Sequence, residues 1–131
     1  MSPAARATTL RVLIVDDSPP VQEMLAELVA GSGRAEVVGR AETEDASLEA
    51  IRRLKPDVVV LDLQLKGGSG ANVIRAVRAD PTLAATRLFV TSNHPSGQMK
   101  AGCVELGADE YYDKLKELPA LVARIGELAP G

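Results

Sequence analysis

Asp57-Val58-Val59-Val60-Leu61-Asp62 decides the fold: four consecutive apolar residues, three of them β-branched, lie between two carboxylates. A run that short and that apolar fits a strand covered on both faces, as in the middle of a parallel sheet. Asp62 is followed by a polar, glycine-rich stretch, Gln64 to Gly70. The carboxylate therefore stands where the strand leaves the sheet, the edge at which open α/β folds place their ligands.

Working outward, strand and helix patterns alternate. Leu10 to Val15 reads as a first strand, stopped by Asp16-Asp17. Ser18 is placed to cap a first helix, with Pro19 and Pro20 in a turn that has no use for their missing amides. Val21, Met24, Leu25, Leu28 and Val29 recur at helical spacing, and Gly31 and Gly33 end the run. Val37 and Val38 mark a second strand reaching about Ala41. Leu48, Ile51 and Leu54 stripe a second helix that stops at Lys55-Pro56. After the central strand, Val73, Ile74 and Val77 stripe a third helix, stopped at Asp80-Pro81. Arg87 to Thr91 reads as a fourth strand, and Met99, Cys103 and Leu106 as a fourth helix closed by Gly107. Asp109 to Tyr112 is a fifth strand, and Leu118, Leu121, Val122, Ile125 and Leu128 stripe a final helix. Five β-α units with right-handed crossovers require a parallel sheet with helices on both faces, in the expected order 2-1-3-4-5.

Composition narrows the function. The 131 residues, 46% hydrophobic and 25% charged, suit one domain that buries about two thirds of its unfolded surface. Met1 to Thr9 carries no periodicity and is expected to be a flexible leader, leaving residues 10–129 as the domain. A net charge of −3 gives no basic excess for direct nucleic-acid binding. One Phe, two Tyr and no Trp leave no base-stacking platform. No apolar run approaches membrane-spanning length, and the leader has no signal-peptide core. A single cysteine, Cys103, excludes an internal disulfide, suits a reducing cytoplasm and reads as a helix-packing residue. His94, before Pro95, reads as a surface histidine.

In a parallel sheet all strands end on one edge. Asp16, Asp17, Asp62, Thr91 and Lys114 can therefore converge there. At an effective dielectric of about 20, each close pair of carboxylates costs a few kcal/mol. Either one stays protonated or a cation joins them. Oxygen donors without a nearby His or Cys point to Mg²⁺, with Mn²⁺ as an alternative. A phosphoryl group would complete such a site, paired with Lys114 as a point charge and bonded by Thr91. An aspartate in that setting can be the nucleophile that forms an acyl phosphate.

Four stretches, VLIVDDS, VVVLDL, LFVTS and GADEYYDK, occur in that order between Val12 and Lys114, and the likeness they carry covers about Leu10 to Leu128. Together they resemble the CheY-like receiver domain of two-component response regulators, a flavodoxin-like (βα)5 fold. The resemblance implies that Asp62 is the phosphoacceptor and Asp17 a direct Mg²⁺ ligand. Asp16 would hold a metal-bound water, and the main-chain oxygen of Gln64 would be a further ligand. Thr91 would be the switch hydroxyl, Tyr111 the aromatic that reorients with it, and Lys114 the phosphate partner. Gln64 and Asn93 occupy the two positions that tune phosphoryl lifetime; as uncharged amides they predict a transient mark. The implied donor is a histidine kinase or histidine phosphotransfer protein. The signal would leave through the fourth helix, fifth strand and fifth helix toward a downstream protein, with phosphorylation-dependent dimerisation as one output. No separate substrate is turned over beyond self-phosphorylation and slow autodephosphorylation.

The sequence departs from that pattern twice. Leu115 follows Lys114 where the family usually has a proline, commonly cis. A cis bond before a non-proline costs about 2.5–4 kcal/mol, so a trans bond and a reshaped loop are expected. Lys66 replaces a proline four residues after the phosphoacceptor, in a loop whose three glycines predict extra mobility. Two other classes fit less well. A flavodoxin-like electron carrier would need a Ser/Thr-rich phosphate loop and flanking aromatics. A dehalogenase-type phosphatase would place its nucleophile after the first strand in an Asp-x-Asp pattern. A receiver that has lost phosphorylation, acting as a static interaction module, is a third alternative.

Overall fold

The computed structural model describes residues 9–93 and 96–129. The leader, apart from Thr9, and His94 lie outside the described residues. Five parallel strands run β1 Leu10–Val15, β2 Ala35–Ala41, β3 Val58–Asp62, β4 Arg87–Ser92 and β5 Glu110–Asp113. The helices between and after them are α1 Pro19–Gly31, α2 Glu44–Leu54, α3 Gly70–Arg78, α4 Gly97–Leu106 and α5 Leu118–Leu128. A short 3-10 turn, Pro81–Leu83, separates α3 from β4. The strands pair in the expected order β2-β1-β3-β4-β5.

β3 is central and buried along its whole length. Its residues alternate between two cores, as a two-residue side-chain period demands. Val59 and Leu61 join Leu13, Leu88 and Val90 against Ile51 of α2 and Val73, Ile74 and Val77 of α3. Val58 and Val60 join Val12, Ile14 and Phe89 against Leu25 and Val29 of α1 and Leu121 and Ile125 of α5. The apolar stripes read from the sequence are thus the inner faces of the helices, except that Met24 and Leu28 of α1 are exposed, at 42% and 41%. α4 is attached most lightly: Cys103 is its one buried residue, while Met99 and Leu106 pack at the margin.

Local chemistry sets the helix ends. Thr43, Ser69 and Ser96 each accept a hydrogen bond from a main-chain N–H of the first turn of α2, α3 and α4. Ser18 occupies the corresponding place before α1, yet its side chain makes no such bond. Asp16 takes over that turn instead, its Oδ1 accepting the Ser18 N–H at 2.8 Å. α2 ends where expected, and Arg11 Nη1 satisfies its last carbonyls at Leu54 and Lys55 (2.7 and 3.1 Å). β5 begins one residue later than the apolar pattern suggests. Asp109 is diverted to accept the Leu88 N–H at 2.7 Å and to pair with Arg78 at 2.8 Å.

Candidate functional site

The acidic residues meet at the carboxyl edge of the sheet. Asp16 and Asp17 follow β1, and Asp62 ends β3. One carboxylate oxygen from each lies within 4.8 Å of the other two. Asp16 and Asp62 are buried, and Asp17 is half-buried. Lys114, just beyond β5, is buried as well and reaches across. Its Nζ stands 2.7 Å from Asp16 Oδ2 and 2.9 Å from Asp62 Oδ2. The second contact is a hydrogen bond, whereas the first is an ion pair outside hydrogen-bond alignment.

Three features hold these groups in place. Gln22, buried in α1, donates from Nε2 to the Asp16 carbonyl at 2.5 Å. The Gln64 N–H donates to Asp62 Oδ1 at 3.1 Å. The β5–α5 turn is fixed by Asp113, whose Oδ1 accepts the Leu115 N–H at 2.8 Å. A proline at 115 has no N–H and could not make that bond. The Lys114–Leu115 peptide is trans, as expected, since the described residues contain no cis bond. The turn delivers Lys114 to the acidic pair.

Two protonation equilibria are displaced. Burial pushes the Asp62 carboxyl above its ordinary value and the Asp16 charge adds to this, while Lys114 and the Gln64 N–H offset it in part. Burial alone would lower Lys114, but its pairing with Asp16 and Asp62 outweighs that and the net displacement is upward. An acid whose pKa rises on folding binds protons more readily in the native state. Its ionised form therefore costs stability, progressively from pH 3.8 up through its folded pKa. Asp62→Asn is accordingly expected to raise the melting temperature of metal-free protein at pH 7 by a few degrees. The gain should shrink towards pH 4, as thermal unfolding across that range would show.

The other site residues divide. An open cleft of about 410 Å³ is lined by Asp17, Asp62, Gln64, Asn93 and Lys114, with Val21, Met24 and Leu115 as an apolar wall. Gln64 and Asn93 are exposed at its rim. Thr91 lies beside Asp62 in the β3–β4 register. It is buried, and its Oγ1 has no hydrogen-bond partner among the described residues. Tyr111 is not brought to the cleft. It packs with Val90 and Cys103 and borders a separate recess with Ser96, Gly97, Lys100 and Glu117, its buried hydroxyl also without a partner. Gln22 escaped the sequence reading. A lone amide inside the Val21–Val29 stripe was its one signal.

The set fits a hard divalent cation: three carboxylates within reach of one another, oxygen donors throughout, and an open side towards solvent. Among the described residues no helix is long and apolar enough to cross a membrane.

Known proteins share both sequence and architecture. The response regulator receiver domain family matches residues 12–126. The DNA-binding response regulator MtrA of Mycolicibacterium smegmatis is 38% identical over 116 residues, covering 88% of this chain and 48% of that protein. A protein-glutamate methylesterase/protein-glutamine glutaminase of a Nocardioides species is 30% identical over 117 residues, 89% of this chain and 31% of that protein. The chain thus spans about half the length of the first and about a third of the second. Among solved structures, the NarL signal receiver domain of Mycobacterium tuberculosis superposes with a TM-score of 0.80 at 30% identity, over 92% of this chain and 98% of that one. The BeF3-activated receiver domain of Klebsiella pneumoniae RstA gives 0.76 at 27% identity, over 88% and 94%. By family match, relatives and topology alike, the chain belongs to the response regulator receiver domains of two-component signal transduction.

Proposed function

We propose that this receiver domain is a phosphorylation switch in which Asp62 accepts a phosphoryl group from the phosphohistidine of a histidine kinase or histidine phosphotransfer protein. The observation that carries the reading is the bridge of Lys114 between Asp16 and Asp62, at 2.7 and 2.9 Å, beside Asp17 in an open cleft. Asp17, Asp62 and the Gln64 carbonyl would hold Mg²⁺, with Asp16 reaching it through water; Mn²⁺ would serve as well. When bound, the ion neutralises charge on the carboxylates and on the phosphoryl oxygens.

An Asp62 carboxylate oxygen attacks phosphorus in line as the P–N bond to the donor imidazole breaks. The electron pair leaves with the ring nitrogen, and an acyl phosphate forms on Asp62. Lys114 follows the charge from the carboxylate to a phosphoryl oxygen. Thr91, with a buried hydroxyl that has no partner among the described residues, donates to another. Tyr111 responds from the neighbouring recess, so the change reaches the face made by α4, β5 and α5, where a downstream protein or a second copy binds. Gln64 and Asn93 at the rim orient the water that later cleaves the acyl phosphate, and no separate substrate is consumed.

Residues 10–129 act as the folded unit, in the cytoplasm. Although MtrA is named as DNA-binding, the acidity of this chain argues against direct nucleic-acid contacts of its own.

Incubation with phosphoramidate and Mg²⁺, followed by intact mass measurement, tests the assignment. Wild type should gain one phosphoryl group, and Asp62→Asn none. An adduct on both proteins, or on neither, refutes it. Label that persists on the native protein for many hours would contradict the roles given to Gln64 and Asn93.

A further inference from the structure

We propose that Glu44, in the first turn of α2, is a positioning residue for the segment that carries Asp62 and Gln64. The inference rests on the function proposed above and extends it to a residue outside the acidic cleft. The segment after Asp62 contains three glycines and no proline, so its own backbone does little to fix it. Glu44 supplies the missing constraint. Its Oε1 accepts hydrogen bonds from the Ser69 N–H and from Asn72 Nδ2, both at 3.1 Å. Its own N–H donates to the Gly67 carbonyl at 2.8 Å. Asn72 is turned to present its amide N–H because its Oδ1 accepts from Arg75 Nη1 at 2.8 Å.

The tie continues to the acceptor. Ser69 pairs with Gln64 in an isolated antiparallel bridge, and the Gln64 N–H donates to Asp62 Oδ1. One carboxylate on α2 thereby fixes Ser69, which fixes Gln64, which orients Asp62. Gly68 leaves room for the arrangement. At φ +102° it lies under Glu44, and a Cβ there would collide with the Glu44 side chain. The loop expected to be mobile is thus held from outside. Groups that orient metal ligands at one remove typically change affinity by about 10–100-fold when removed.

A plainer role for Glu44 would be a favourable charge at the start of α2. Calorimetric titration with Mg²⁺ separates the two roles, using Glu44→Ala, Glu44→Gln, Asp45→Ala and wild type. Glu44→Ala should weaken Mg²⁺ binding by about 10-fold or more. Glu44→Gln keeps an acceptor oxygen and should recover most of the loss, although it is as neutral as Ala. Asp45→Ala removes the same charge one residue away and should bind like wild type. Hydrogen exchange should quicken at the Gln64 and Ser69 amides in Glu44→Ala while that of the β3 amides is unchanged. With phosphoramidate, Glu44→Ala should need about 10-fold more Mg²⁺ for half-maximal labelling of Asp62. Equal Mg²⁺ affinity in Glu44→Ala and wild type, or equal weakening in Asp45→Ala, overturns the inference and leaves the function intact. Failure of wild type to bind Mg²⁺ or to be labelled overturns both.

Discussion

Lys114→Met is expected to lower the melting temperature of metal-free protein at pH 7 by roughly 10 °C, and saturating Mg²⁺ to restore much of it. The sequence poses a choice for crowded carboxylates: protonate one of them or recruit a cation. In the structure Lys114 is already that cation, shared by two carboxylates that are themselves buried. Removing one partner of a buried charge cluster costs about 3–5 kcal/mol, because the remaining charges stay desolvated and face each other. In a domain of this size a loss of about 3 kcal/mol corresponds to roughly 10 °C. Because its pKa is raised on folding, the lysine contributes fully below its ordinary value of 10.5 and loses the contribution as pH climbs through the higher folded value. The variant's deficit should accordingly be present at pH 7 and fade as pH falls through the raised folded value of Asp62. Mg²⁺ should raise the melting temperature of the variant more than that of wild type, since the ion then supplies the missing positive charge alone. Thermal unfolding with and without Mg²⁺ measures this directly. An unchanged melting temperature would mean that Lys114 does not neutralise the pair.

Much of this site could be read from the sequence because strand ends in a parallel sheet are set by local patterns. Asp16, Asp62 and Lys114 each terminate a recognisable strand or lie just past one, so topology alone brings them together. The trans peptide before Leu115 followed from backbone energetics. What stayed hidden depends on partners distant in sequence. Asp109 looks like strand, but its carboxylate is committed to the main chain of β4 and to Arg78. Glu44 looks like an ordinary first-turn acid, and only the fold reveals the Ser69 amide and Asn72 against it. Tyr111, which the resemblance gives only as an aromatic that reorients with Thr91, lies on the other face of the sheet, with Leu61 and Val90. A period of two distinguishes faces, but it does not say which face a cleft opens on.

Gly70→Ala tests how closely the first turn of α3 must approach the phosphoacceptor strand. By helix propensity alone, alanine should stabilise a helical glycine by about 1 kcal/mol. Gly102, in the middle of α4, fits that rule: an added Cβ meets nothing within 4 Å, so Gly102→Ala should stabilise by about 0.5–1 kcal/mol. At Gly70 the same methyl group would collide with the carbonyl oxygen of Asp62 and come within 2.8 Å of Leu63 Cα. Both obstacles are backbone of the central strand's end, which cannot rotate aside as a side chain could. Relief requires α3 to move away or the end of β3 to bend. The first breaks the Gly70 N–H bond to the Leu63 carbonyl at 2.9 Å and loosens the packing of Val73 and Ile74. The second displaces Asp62 itself. Overpacking of this kind costs about 1–3 kcal/mol, which exceeds the propensity gain and reverses the sign seen at Gly102. Denaturant unfolding should show Gly70→Ala less stable than wild type and Gly102→Ala more stable. Mg²⁺ affinity and phosphoramidate labelling should fall in Gly70→Ala alone. If both alanines stabilise, α3 does not touch the phosphoacceptor strand as described, and the geometry around Asp62 is set by something other than this close contact.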